Sequence, residues 1–316
     1  MNFKNNLHSS PFYSIPAAAP RYFTRAVVVA LASLLCYGSI SSTSAQEAIT
    51  GQWIIEPDRG KERRADSVHL TIQRSQNGRG NFNSTDNVKL ENFRGLTQTQ
   101  MAGSGSAVQF QIVRDAGVLN CEGWFKDGRG SGHFTFAPDG GFASEMQGLG
   151  YGNMSEEKLF TLAVLDVGRA FIRELAALGY DRLPVDNLVA MKIHGATPQF
   201  ISELRAVGYD HPAVDQLIAM RIHGAIPEFI RDLQAEGYNR PPIDQLVAMR
   251  IHGVSTDFIK ELKQLGYDQV PVEQLVAMRI HGVSAAFIQK MKDRGLKDLS
   301  VEELVRLRIH GFDKEL

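Results

Sequence analysis

The sequence predicts an α+β protein, with a small antiparallel, barrel-like β domain followed by an α-solenoid of helix-turn-helix repeats. In the first half of the chain apolar and polar residues alternate, as in SVHLTIQR, and glycine-rich breaks separate the alternating runs. In the second half the phrase LVAMRIHG returns with small changes every 29 residues. Self-similarity at such a period is the signature of a repeat architecture.

The composition is that of an ordinary globular protein. The chain has 316 residues, of which 43% are hydrophobic and 22% charged, and its formal net charge is −1. This charge balance argues against a nucleic-acid partner. We predict a signal peptide at 1–45, an antiparallel β domain at 46–151 and a repeat domain at 152–316. The repeat domain divides into a divergent first unit at 155–184, full units from 185, 214, 243 and 272, and a half unit at 301–316.

The first 45 residues have the pattern of a secretory leader. They contain Lys4, Arg21 and Arg25 but no acid, then the apolar run AVVVALASLLCYGSI and a Thr-Ser-Ala ending. We expect cleavage after Ala45 and an exported protein, periplasmic or extracellular, with a mature net charge of about −4. The run is shorter than the roughly 20 residues of a transmembrane helix. Because the segment before it is long, the alternative is an uncleaved anchor that holds the protein at the membrane facing the periplasm.

The two cysteines are not expected to pair. Cys36 lies in the leader, and Leu35 before it is not the small residue that a lipid-attachment signal requires. The mature chain then keeps Cys121 alone, which excludes an internal disulfide. Cys121 lies within a predicted strand and is interpreted as a packed thiol, not as a nucleophile.

Six or seven short strands are expected between 46 and 150, with a helical turn near 96–101. Trp53 is predicted to close the end of the sheet, although Gly51 and Trp53 are also similar to the start of a lipocalin barrel. The loop KERR at 61–64 is interpreted as a solvated hairpin. The segment GRGSG lacks the Lys-Ser or Lys-Thr of a phosphate-binding loop and is predicted to be a hairpin turn.

His69 and His133 both fall on polar strand faces. They are expected to face solvent. A metal-binding pair is the alternative, but no third ligand is evident.

Each repeat unit is predicted to hold two short helices. The first carries the apolar set Val214, Leu217, Ile218 and Ile222 at helical spacing and ends at a glycine that can take the left-handed conformation. The second begins at a capping Thr or Ser, buries apolar residues such as those of FISEL, and ends at another glycine. A tyrosine follows that glycine in most units and is expected to fold back on the last turn.

The two ends of the repeat run differ from the middle. In the first unit Leu165 and Asp166 stand where later units have His and Gly, and we expect this unit to face the β domain. The last unit stops after one helix, and its charged residues 313–315 are expected to form the end cap.

Two columns of repeated polar residues form the candidate interaction surface. They are the basic residues Lys192, Arg221, Arg250, Arg279 and Arg308 and the histidines His194, His223, His252, His281 and His310. The basic column is expected to lie over the apolar face and pair with Glu203, Asp232 and Glu261; the alternative is a ladder for an anionic partner. The histidines are interpreted as helix C-terminal caps, with a pH-sensitive element and a metal site as alternatives.

The phrases VQFQIVRDAGVLNCEGWFKDGRGSGHFTF and LFTLAVLDVGRAFIRELAALGY resemble the extracytoplasmic β-plus-helical-repeat appendage of bacterial membrane zinc metallopeptidases of the β-lactam-sensor, or antirepressor, class. The resemblance covers nearly all the predicted mature chain. The chain has no His-Glu-x-x-His and no bundle of membrane helices, so no peptidase residue is carried over. The resemblance implies the appendage as a free-standing exported protein.

The leading hypothesis is therefore a non-enzymatic interaction scaffold with a protein or peptide partner, accessory to envelope sensing or signalling. The alternative is a binder of small ligands or cell-wall fragments that uses the β domain. A hydrolase is the weakest hypothesis, because no Gly-x-Ser-x-Gly, paired-carboxylate or metal-ligand motif is present. No cofactor is expected, and the sequence leaves the oligomeric state open.

Overall fold

The computed structural model describes residues 48–57, 67–76 and 80–312, and these residues belong to one compact unit. The predicted leader, the KERR loop and the charged end cap at 313–315 lie outside the described residues. Among the described helices, none is long and apolar enough to span a membrane.

The predicted β domain is a seven-stranded antiparallel sheet that curls into a half-barrel. Its strands are β1 Thr50–Pro57, β2 Ser67–Gln76, β3 Gly80–Lys89, β4 Phe93–Arg94, β5 Ser104–Arg114, β6 Gly117–Lys126 and β7 Arg129–Pro138. Their order across the sheet is β3-β2-β1-β7-β6-β5-β4. A short 3-10 turn at Leu90–Asn92 and the predicted helical turn, α1 at Gln98–Ala102, connect the strands at the β4 edge.

The alternation of the sequence places one face of the sheet on an aromatic core. Trp53 is fully buried, and its ring centroid lies 5.0 Å from that of Phe110 and 5.7 Å from that of Phe125. Trp53 pairs across the strands with Gly132 on β7, and a Cβ added at Gly123 on β6 would lie 2.6 Å from its indole ring. Trp53 thus packs in the middle of the sheet, not at its end as predicted, because two glycines on adjacent strands make room for it.

Helix α2 at Gly140–Gly148 follows the sheet, and the described part of the repeat domain, up to residue 312, contains eleven helices. The first helices of successive units are α3 Glu156–Val164, α5 Val185–His194, α7 Val214–His223, α9 Ile243–Ile251, α11 Val272–Ile280 and α13 Val301–Ile309. The second helices are α4 Arg169–Ala177, α6 Pro198–Ala206, α8 Pro227–Ala235, α10 Thr256–Gln264 and α12 Ala285–Asp293. First helices stack on first helices and second on second, as in a solenoid.

The first unit is built into the sheet. The ring of Phe160 on α3 stacks on Phe134 at 5.8 Å and meets Phe136 edge-on at 5.5 Å. At the rim Arg169 binds Asp115 at 2.8 Å and Glu145 at 2.6 Å. The expectation that the divergent unit faces the β domain is therefore confirmed, with α3 as part of the sheet's own core.

The local sequence explains how each unit folds. The predicted glycines end the first helices in the left-handed conformation, with φ of 71° at Gly195 and 74° at Gly224. Asp166, which replaces this glycine in the first unit, adopts φ 54°. Thr197 caps the second helix by accepting a hydrogen bond from the amide of Phe200. Helices of about ten residues are marginal alone in water, so contacts between units must stabilise the stack.

One such contact is a tyrosine ladder. The hydroxyl groups of Tyr180, Tyr209, Tyr238 and Tyr267 each donate to a backbone carbonyl of the following unit at 2.6 to 2.8 Å. Burial raises the pKa of Tyr209 and of Tyr238 to about 12. The tyrosines therefore reach forward to the next unit and do more than fold back on their own helix.

Candidate protein interface of the helical repeats

The basic column lies on aromatic rings. Each cation sits over the ring of the phenylalanine 21 residues earlier, on the second helix of the preceding unit. The distances from the cation to the ring centroid are 5.2 Å for Lys192 and Phe171, 5.0 Å for Arg221 and Phe200, 4.9 Å for Arg250 and Phe229, 5.1 Å for Arg279 and Phe258, and 5.2 Å for Arg308 and Phe287. A cation over an aromatic face contributes about 0.5–1 kcal/mol at an exposed site.

The same side chains also contact the C-terminal end of the first helix in the preceding unit. Arg221 Nε donates to the backbone carbonyl of His194 at 3.3 Å, at the C-terminal end of α5. A Cβ added at Gly195 would lie 2.9 Å from the guanidinium of Arg221. The predicted carboxylate partners Glu203, Asp232 and Glu261 are wrong: the ion pairs of the described residues do not join them to Arg221, Arg250 or Arg279.

The basic column therefore makes contacts between units. Arg221, Arg250 and Arg279 nevertheless remain exposed, so a ladder for an anionic partner stays an untested alternative.

The histidine column faces solvent. All five side chains are exposed, and within the described residues none of the five imidazole rings takes part in a hydrogen bond. The prediction of side-chain caps is therefore wrong. The carbonyls at the helix ends are bonded instead by backbone amides such as that of Gly195, which donates to Lys192 O at 3.2 Å, and by the arginine of the next unit.

An exposed column of isoleucines runs beside these histidines. We call it the isoleucine face; its members are Ile193, Ile222, Ile251, Ile280 and Ile309, which are 52 to 58% exposed. The sequence prediction grouped Ile222 with Leu217 in one apolar set at helical spacing. Leu217 and Met220 are fully buried, whereas Ile222 points outward because five residues correspond to about 140° around a helix.

Small and partly buried apolar residues extend the isoleucine face. The half-exposed alanines Ala190, Ala219, Ala248 and Ala277 lie three residues before the first four isoleucines. Acidic residues line the N-terminal ends of the same helices: Asp186, Asp215, Asp244, Glu273 and Glu302, all exposed. Gln245 and Gln274 bind Glu273 and Glu302 of the next unit at 2.5 and 2.6 Å, and so link these acids along the stack.

The isoleucine face was missed by sequence reasoning, although a signal existed. The isoleucine returns in every full unit as faithfully as the buried Leu188 and Met191, yet its helical angle lies across from them. At about 10 Å per helix layer, the four full units and the half unit present an apolar strip about 40 Å long. Exposed apolar strips of that extent are typical of protein-binding surfaces.

The predicted residues of the β domain do not assemble into a reactive site. His69 and His133 are exposed, and His69 Nδ1 lies 2.9 Å from the Asn87 side-chain oxygen. Cys121 is buried, and burial raises the pKa of its thiol to about 12, so it stays protonated at neutral pH. In the part of the chain that the structure describes, no group of three or more His, Cys, Asp or Glu is arranged to hold a metal.

No protein-family model matches the chain, and neither a curated protein nor a solved structure is found to be similar to it.

Proposed function

We propose that the chain is an exported, non-enzymatic scaffold whose isoleucine face binds a protein partner. The observation that carries the proposal is the repeated exposure of isoleucine at one position of every full unit. Burial of apolar surface contributes about 25 cal/mol of favourable free energy per Å². The exposed isoleucines make this contribution only when a partner covers them. The acids along one edge of the strip favour a partner with apolar side chains and a row of basic residues beside them.

An accessory role in envelope sensing or signalling is part of the proposal, and it rests on the predicted leader and on the resemblance described above. The same leader supports a periplasmic or extracellular location. Cell fractionation with N-terminal sequencing of the exported protein tests this part. A first residue of Gln46 supports export with cleavage, an intact leader in the membrane fraction supports the anchored form, and purely cytoplasmic protein contradicts both.

The partner is tested by crosslinking in the exported fraction with two matched variants of the full chain. In the first, Ile222→Asp, Ile251→Asp and Ile280→Asp place three charges on the isoleucine face. In the control, Ser202→Asp, Ala235→Asp and Gln264→Asp add the same number of charges at exposed positions of the second helices. A partner that is lost only with the first variant supports the proposal.

Retention of the same partner by both variants contradicts the proposal, and circular dichroism checks that both variants stay folded. The alternative of a small-ligand binder with a cavity inside the β domain has less support. Trp53, Phe125 and Phe134 fill the interior of the half-barrel.

A further inference from the structure

The outer face of the sheet carries a second surface, which is independent of the isoleucine face. Trp124 on β6 is 52% exposed although it is an aromatic residue in the middle of a sheet. Its direct cross-strand neighbours are Ala107 on β5 and Ser131 on β7. Because both neighbours are small, the indole is left uncovered. A groove opens around it and includes Ile54 of β1.

A row of polar side chains next to Trp124 crosses four neighbouring strands, β5, β6, β7 and β1. Gln109 pairs with Glu122, Glu122 with His133, and His133 with Gln52, so the four residues lie in register on one face. We call them the polar row. At about 4.8 Å between strands the row is about 14 Å long. All four residues line the groove with Trp124.

The polar row is unpaired, unlike the rows around it. On one side the Gln111 amide donates to Asn120 at 2.8 Å. On the other side, beyond the row of Trp124, Arg129 pairs with Glu56 at 3.7 Å. Within the described residues, no side-chain atom of the polar row makes a hydrogen bond or an ion pair. Its amides, carboxylate and imidazole are therefore free to bond a ligand.

On the core side of the sheet, Trp53 packs directly beneath this part of the groove. Trp53 lies on the core side of Gly123 and Gly132, and its indole N–H donates to the backbone carbonyl of Glu122 at 3.1 Å. The strand that carries Glu122 and Trp124 is thereby fixed to β1 across the intervening β7. A fixed aromatic platform binds with little loss of conformational entropy.

From this geometry we propose that the Trp124 groove binds a neutral oligosaccharide. Sugar hydroxyl groups both donate and accept hydrogen bonds, as do the planar polar side chains of the row, and the apolar C–H face of a pyranose ring stacks on an indole. The described lining residues of this groove include no Lys or Arg, which disfavours phosphate groups and nucleic acid. A peptide strand is disfavoured because the central strands already pair on both sides.

The two tryptophans make the proposal directly measurable. The chain contains only Trp53 and Trp124, and Trp53 is fully buried. Tetrasaccharides of glucose and of N-acetylglucosamine are titrated into the full chain, with tryptophan fluorescence and heat as readouts. We expect saturable quenching with an affinity in the range of about 10 µM to 1 mM, and protection of Trp124 from acrylamide.

Three variants decide whether the binding site is the Trp124 groove. Trp124→Ala is expected to weaken binding at least about tenfold, as measured by heat, a loss of about 1.4 kcal/mol. Trp124→Phe should retain part of the affinity, and Glu174→Ala, at an exposed position of helix α4, should retain all of it. Unchanged binding by Trp124→Ala, or no binding of either sugar at about 10 mM, overturns the proposal.

Co-sedimentation with insoluble chitin or cellulose separates a polymer ligand from a free oligosaccharide. The isoleucine-face variant keeps the groove intact, so failure of one proposal leaves the other standing.

Discussion

The sheet and the helical stack are stabilised by different kinds of contact. The sheet uses contacts that each occur once: Trp53 fits one pair of glycines, and Phe160 of α3 completes one aromatic cluster. The stack repeats the same contacts every 29 residues, with arginine on phenylalanine and tyrosine on carbonyl. Stability therefore depends on a few irreplaceable residues in the sheet, and on many small equivalent terms in the stack.

The largest expected effect comes from the unique tryptophan contact. Trp53→Ala leaves a cavity over Gly123 and Gly132 and should lower the free energy of unfolding by about 3–5 kcal/mol. Urea denaturation measures this loss. Trp124→Ala is the matched control, since it removes the same residue type from the outer face, and it should change stability by less than about 0.5 kcal/mol. Equal losses for the two variants would show that the core assignment is wrong.

A smaller effect is expected from the repeated tyrosine contact. Tyr238→Phe leaves the Val270 carbonyl without the 2.8 Å hydrogen bond, at a cost of about 1–3 kcal/mol. The same substitution at Tyr209 should cost about as much, because its hydroxyl donates to Pro241 O in the same way. Thermal unfolding of the two single variants compares them. Strongly unequal losses would contradict the equivalence of the units.

The tyrosines also predict how stability depends on pH. Burial raises the pKa of Tyr209 and of Tyr238 to about 12, against about 10 in an unfolded chain. Because the folded state holds these protons more tightly, their contribution is complete below pH 10 and is lost as the pH rises from 10 towards 12. Between pH 10 and 12 the free energy of unfolding should fall more steeply with pH for the native chain than for the variant in which both tyrosines are replaced by Phe. Equal slopes for the two proteins would contradict the assignment of raised pKa values to Tyr209 and Tyr238.

The smallest effect is expected from one step of the basic column. Arg250→Gln removes the cation over Phe229 and should cost about 0.5–1 kcal/mol. A double-mutant cycle with Phe229→Leu isolates the pairwise contribution. A coupling energy indistinguishable from zero would mean that the arginine acts through its aliphatic stem alone.

Much of this architecture could be predicted from the sequence, because its signals are local or periodic. Alternation predicts the strands, the 29-residue period predicts the units, and the glycines predict where the helices end. The partner of Arg250 could not be predicted, because a ring 21 residues away becomes a neighbour only after the helices stack. The first helices carry apolar residues at several angles around the axis, so the periodicity does not say which side is buried. The available signal was the recurrence of Ile222 across the helix from Leu217 and Met220.

Trp124 is a different case. It shares its strand parity with Glu122, opposite to Cys121 and Phe125, so alternation alone places it on the outer face. The polar row, in contrast, depends on the strand order, in which β1 lies beside β7. The groove therefore required the fold, although its central residue was visible in the sequence.

The insertion of Phe160 into the sheet has a consequence for how the protein is made. Until α3 has been synthesised, the half-barrel lacks part of its core, and the apolar surface around Phe134 and Phe136 stays uncovered. Docking of α3 covers that surface with Phe160, so the sheet has its complete core only when the first repeat unit is present. The later units lie beyond this contact. Duplication of one of them would lengthen the isoleucine face by one step and leave the contact between α3 and the sheet unchanged.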